Sequence, residues 1–176
     1  MSTPRVALLA ALLAAGGFAA AQESPGLGVP LTEAQIAAWD LDIAPDGAGL
    51  PPGSGTASQG AGIYAEKCLA CHGVDGAGQP NDRLVGGHGT LRDADPVRTV
   101  GSYWPYATTV FDYVRRAMPL TAPQTLAAEE VYALTAYLLE RNGIIDAEEV
   151  MNADTLPRVV MPNRDSFVVA YPDGFE

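Results

Sequence analysis

Apolar residues recur at helical spacing in three stretches of the chain and are scattered elsewhere. In the first, Gly60, Tyr64 and Cys68 fall at i, i+4 and i+8 and so share one face of a helix. A glycine on that face lets another helix come close. The partner is predicted over residues 126–141, where Val131, Leu134, Thr135 and Leu138 keep the helical period and Ala133 with Tyr137 forms an adjoining stripe suited to the crossing. Thr125 is its expected N-cap, Glu129 and Glu130 sit near the positive end, and Asn142-Gly143 reads as a stop. Between the two, a helix begins near Ala107 after Trp104-Pro105, carries Val110, Phe111 and Val114 on one face, and ends at Pro119.

Outside these stretches the pattern weakens. Thr32 and Gln35 have capping-box spacing, and Ile36 with Trp39 gives a brief apolar face, so a short helix is expected over 32–40, with Trp39 as an anchor on the helical domain. Pro45-Asp-Gly47 and the run 49–55 are turn chemistry. Residues 144–176 hold scattered apolar positions without a helical run, which predicts an extended tail wrapping the domain. The expected organisation is an N-terminal extension over 22–57, an all-α domain over 58–143 and the tail over 144–176. Residues 1–21, with one Arg, a short apolar run from Val6 and a small-residue end at Ala19-Ala20-Ala21, read as a cleaved export signal rather than a membrane span, with an uncleaved signal anchor as the alternative.

Charge narrows the partners. The chain has 10 basic and 21 acidic residues, a formal net charge of −11, and loss of the export segment would remove Arg5 and no acid. Such a surface disfavours nucleic acid and anionic lipid and steers a basic protein partner towards it.

The chemistry lies at Cys68-Leu69-Ala70-Cys71-His72, which uses the only two cysteines in the sequence. Cys-x-x-Cys-His is the attachment signature of a c-type haem: each thiol adds to a vinyl group, and the imidazole becomes an axial ligand of the iron. A thioredoxin-type dithiol needs a βαβ context that the helical flanks do not offer. A structural zinc site wants four ligands, and His72 and His88 are the only histidines. A haem also accounts for the aperiodic stretch 73–105, which is long for a loop inside a small domain unless a bulky apolar group replaces the missing core.

For the second axial position, Met118 lies just past one helix and just before the next, followed by Pro119, an order that puts a thioether opposite His72. Met161, also followed by a proline, and His88, flanked by glycines, are the rivals, as is an open position. His72 should donate its free ring N–H to a backbone carbonyl, from Pro80 or a neighbour. Tyr103, Trp104 and Arg83 are candidate donors to the haem propionates. Arg115 and Arg116 read as a solvated helix face.

With these residues in place, the stretch 58–143 resembles the class I monohaem c-type cytochromes. That resemblance implies the cytochrome c fold, three to four helices around one covalent haem, and His/Met ligation carried onto His72 and Met118. A narrower resemblance rests on segments outside the haem motif: Ala38-Trp-Asp-Leu-Asp-Ile43, Gly101-Ser-Tyr-Trp-Pro-Tyr-Ala107, Val114-Arg-Arg-Ala-Met-Pro119, Glu130 to Leu139, and Leu156 to Asp165. These are similar to the cytochrome subunits of sulfur-oxidising systems, which accept electrons from molybdenum-cofactor sulfite or sulfane dehydrogenases. The chain departs from that pattern in having one haem motif where a sulfane dehydrogenase cytochrome usually has two, and Asp82 where a proline is expected two positions before Leu84.

The resulting expectation is a periplasmic electron-transfer protein, not an enzyme by itself, that acts as a subunit of a sulfite- or sulfur-compound-oxidising dehydrogenase and passes electrons to a downstream cytochrome or oxidase. The alternatives are a freely diffusing respiratory carrier and a peroxidase-like haem enzyme with a displaceable distal ligand.

Overall fold

The computed structural model describes residues 26–168, so the export segment expected at 1–21 lies outside the described residues. The chain divides into two compact units, Met1–Ala37 and Ala38–Glu176. In the first, helix α1 (Glu33–Ala37) is opened by the expected reciprocal cap: the Thr32 N–H donates to Gln35 Oε1 at 2.9 Å and the Gln35 N–H to Thr32 Oγ1 at 3.3 Å. The helix is shorter than the sequence suggested. Trp39, expected as an anchor, is instead 84% exposed. It falls in a turn closed by the Leu41 N–H on the Trp39 carbonyl, and the first core residue of the second unit is Ile43.

The second unit is built on helices α2 (Ala57–Lys67), α3 (Leu69–His72), α4 (Ala107–Ala117) and α5 (Ala128–Arg141). Strands β1 (Ser54–Thr56) and β2 (Val150–Asn152) add a small antiparallel ladder with Gly55 opposite Met151. The sequence did not announce these strands, since three residues are too few to show alternation. Helix α2 opens on a capping box that sequence reading also missed: the Gln59 N–H donates to Thr56 Oγ1 and the Thr56 N–H to Gln59 Oε1.

Helix α5 is the centre of the core. Its residues 131–139 are all buried, so its two apolar stripes merge and neighbours cover it on every side. Helix α4 packs on it through Phe111, whose ring lies 4.5 Å from that of Tyr132. Helix α2 packs where the glycine stripe predicted. A Cβ on Gly60 would lie 2.0 Å from the Ala133 carbonyl oxygen and 2.7 Å from Tyr137 Cβ, and one on Gly55 would lie 2.3 Å from the Ala133 nitrogen. The backbones meet at a separation that only glycine allows.

The expected N-cap of α5 is corrected. Thr125 donates its hydroxyl to the Ala122 carbonyl at 2.7 Å and so closes the preceding turn, while Glu130 reaches back to accept from the Ala127 N–H at 3.0 Å. At the other end Asn142 follows the helix as expected. Its amide N–H groups donate to the carbonyls of Leu138 at 2.8 Å and Leu84 at 3.2 Å, and its oxygen accepts from the Gly86 N–H at 3.0 Å. Residues 144–168 form no α-helix and run over the domain, burying Met151, Leu156, Val159 and Met161 in the same core.

The crossing yields a contrast within one helix. Gly62 has open space around its Cβ position, so Gly62→Ala should be neutral or raise stability by up to about 1 kcal/mol through helix propensity. Gly60→Ala should lower it by about 1–3 kcal/mol through overpacking against backbone. Urea denaturation of both variants checks the pair, and equal behaviour would contradict the close crossing.

Candidate functional site

Helix α2 ends where the chemistry begins. Cys68, at φ −125° and ψ −33°, breaks the helix, α3 carries the motif through one further turn, and Gly73 at φ +74° reverses the chain. A Cβ on Gly73 would lie 2.5 Å from the Gly78 carbonyl oxygen, so glycine is required there for close approach as well as for its positive φ. Both cysteines are free thiols, Cys68 half-buried against the core and Cys71 exposed. Burial pushes the Cys68 thiol up to about 11.

The loop after His72 is held on itself. The Gly78 N–H donates to the His72 carbonyl, the Asn81 N–H to the Cys71 carbonyl and the Leu84 N–H to the Gly76 carbonyl, each at 2.8 Å. This brings the Asp82 carbonyl oxygen to 2.8 Å from His72 Nδ1. A carbonyl only accepts, so Nδ1 carries the proton and the Nε2 lone pair is left for a metal. The expected donor–carbonyl bond is present; its acceptor is Asp82, the residue standing where a proline was expected, rather than Pro80. A backbone acceptor does not depend on the side chain.

The crossing helices hold the same loop from behind. The Tyr64 hydroxyl donates to the Gly73 carbonyl at 2.8 Å, the Tyr137 hydroxyl to Asp75 Oδ1 at 3.2 Å, and the two rings lie 4.9 Å apart. Burial, with the neighbouring Cys68 and Tyr137, pushes the Tyr64 phenol up to about 12. Lys67, the residue before the motif, pairs with Glu130 of α5; this hydrogen bond raises the lysine and lowers the carboxyl from their ordinary values. None of these ties had been assigned from the sequence, although Tyr64 and Tyr137 had been placed on facing stripes.

The other candidates are spread over the second unit. Met118 is the half-buried residue that ends α4 and turns to extended backbone before Pro119. Met161 is 1% exposed and packs in the apolar core, and His88 is exposed between two glycines of positive φ. Tyr103 is 40% exposed, with the Phe167 ring at 5.4 Å and the Arg98 guanidinium at 5.6 Å. Trp104 packs edge-on to Tyr113 at 5.7 Å. Arg83 directs its Nε–H to the Ala77 carbonyl at 3.0 Å. Arg115 and Arg116 are more than a solvated face: Arg115 reaches the Leu41 carbonyl at 3.5 Å, and Arg116 pairs with Asp112 and with Asp42, tying α4 to the segment before Ile43.

A haem fits this donor set. Two unpaired thiols flank one helical turn, the adjacent imidazole has its tautomer fixed with Nε2 free, and a half-buried thioether stands beyond the aperiodic stretch. Among the described residues no group of three His, Cys, Asp or Glu side chains is placed to hold a bare metal ion. Helices clamped behind a Cys-x-x-Cys-His loop define an all-α cytochrome c domain.

Comparison with known proteins narrows the class. Residues 55–138 match the family model described as cytochrome c oxidase, cbb3-type, subunit III. A solved chain from the crystal structure of the sulfane dehydrogenase SoxCD from Paracoccus pantotrophus is 44% identical, with a TM-score of 0.78, over 85% of this chain and 73% of that one. No curated protein sequence matches significantly. At this identity and coverage the chain belongs to the c-type cytochromes, in the family of that SoxCD chain. Haem c is the cofactor this family implies.

The Tyr64 phenol gives a pH signature. Its folded value lies above the unfolded value of about 10, so its contribution to stability is fully present below pH ~10 and is lost as pH rises towards 12. Tyr64→Phe should lose about 1 kcal/mol at neutral pH with the hydroxyl–carbonyl bond, and its stability should fall less steeply with alkali than the parent's. Denaturant midpoints across the alkaline range test this, and parallel slopes would contradict it.

Proposed function

We propose that this cytochrome carries electrons in the periplasm, with one haem bound through Cys68 and Cys71 and axially ligated by His72 and Met118, and that it accepts electrons from a molybdenum-dependent sulfite or sulfur-compound dehydrogenase. The observation that carries the reading is the match to the SoxCD chain, which at 85% of this chain extends well beyond the haem motif. The apolar segment at 1–21 supports export, and among the described residues no helix is long and apolar enough to cross a membrane.

When bound, the haem supplies a one-electron couple. The protein's part is to fix it and to exclude other chemistry. Cys68 and Cys71 would hold the haem against dissociation, the Asp82 carbonyl orients His72 and strengthens it as a donor, and Met118 would supply the second iron ligand. A soft thioether there favours the ferrous form and raises the potential. Ligation of the iron by both His72 and Met118 would leave dioxygen and peroxide nowhere to bind, which suits a relay of electrons rather than bond chemistry. The net charge of −11 directs the protein towards a basic docking face on its redox partner and makes the encounter sensitive to salt.

Two experiments test the reading. Mixing the oxidised holoprotein with the dehydrogenase and sulfite or a reduced sulfur substrate should reduce the haem within the mixing experiment, faster at low ionic strength; no reduction with any sulfur substrate would remove the proposed donor. Separately, Met118→Ala should abolish the methionine-to-iron charge-transfer band and admit carbon monoxide or cyanide readily at neutral pH. Retention of the band would refute Met118.

A further inference from the structure

We infer that Arg83 is a positioning residue for the His72 imidazole, acting through the Asp82 carbonyl. The ring is aligned by that one acceptor, and the carbonyl sits on an exposed stretch, with Asp82 and Arg83 both open to solvent. Main-chain bonds close the loop on either side of this peptide, from Gly78 to His72 and Asn81 to Cys71 before it and from Leu84 and Val85 to Gly76 after it, but among the described residues Asp82 itself makes no hydrogen bond besides the one to the ring. Its neighbour adds a side-chain restraint within that span. Arg83 Nε–H donates to the Ala77 carbonyl at 3.0 Å, and Arg83 Cα and Cβ lie so close to Gly78 that a side chain there would meet them at 3.2 Å. The arginine therefore lies against the returning strand of the loop and closes it across Ala77–Arg83, one peptide from the acceptor oxygen. A guanidinium suits this because its donors are held in a planar fork on a stem that packs, whereas an ammonium is a mobile point charge.

The consequence falls on the iron's ligand. An imidazole whose Nδ1–H is firmly bonded is a stronger donor and favours the ferric form; loosening the bond weakens donation and raises the potential. A role as a propionate partner or as a bare charge has the opposite sign, because removing positive charge near the haem favours the ferric form and lowers the potential. This inference rests on His72 being an axial ligand and not on the identity of the electron donor, so failure of the sulfur-substrate experiment leaves it intact.

The test uses the full holoprotein. Arg83→Lys keeps the charge and removes the fork. Exchange of the His72 Nδ1–H, followed by NMR in the reduced protein, should quicken, and the midpoint potential should rise, while the urea midpoint stays that of the parent. In Arg83→Met the exchange should quicken equally, and the potential should lie above the value that charge loss alone would give, taken from removal of an arginine beyond the Ala77–Arg83 turn such as Arg92→Met. Unchanged Nδ1–H exchange in both variants, or an unchanged potential in Arg83→Lys with a lowered one in Arg83→Met, would overturn the positioning role in favour of a charge or propionate contact. Absence of a hydrogen-bonded Nδ1–H in the parent would overturn it outright.

Discussion

The contact on which the rest of the domain depends is the approach of α2 to α5 at Gly60, where a missing side chain lets one helix rest on the backbone of the other at Ala133. Close packing converts small separations into many dispersion contacts, and here it also sets geometry, because α2 runs directly into Cys68. Tyr64 and Tyr137 are aligned ring to ring by the same crossing, and their hydroxyls reach past it to Gly73 and Asp75. A helix pair that would serve only as a core in another protein therefore holds the first residues after His72 from behind.

The site is assembled from two kinds of restraint. Side chains of α2 and α5 fix the near part of the loop, and main-chain bonds fix its return, so that the Asp82 carbonyl meets His72. Farther along, Asn142 at the end of α5 satisfies three partners and ties Leu84 and Gly86 to the same helix. A buried amide with all its partners specifies one arrangement rather than merely adding stability. The long aperiodic stretch is thus anchored at its start and again at Leu84 and Gly86.

Much of this was legible in the sequence because it depends on periodicity and on residue types. The stripes at Gly60/Tyr64/Cys68 and Val131–Leu138 have the helical period, the glycine announces the crossing, and Cys68–His72 names its own chemistry. What was not legible depends on competition or on the backbone. Thr125 and Glu130 both carry capping chemistry, and the choice of Glu130 was made by the turn that engages the threonine hydroxyl. Trp39 looked like an anchor by its size, yet the chain enters the core four residues later at Ile43. The acceptor for His72 is a carbonyl, which every residue possesses and no sequence pattern marks. The strands at 54–56 and 150–152 pair residues that are distant in sequence and too few to alternate.

The central claim is that the crossing presents Cys68, Cys71 and His72 as the seat of one covalent haem. Lys67 and Arg83 bracket that seat as tryptic sites, so mass analysis of the peptide beginning at Cys68, taken from protein made in an exporting host with haem-attachment machinery, tests the claim directly. The account predicts that this peptide carries the mass of one haem and resists separation from it. A peptide of unmodified mass, or one lighter by two hydrogens from a Cys68–Cys71 disulfide, would contradict it.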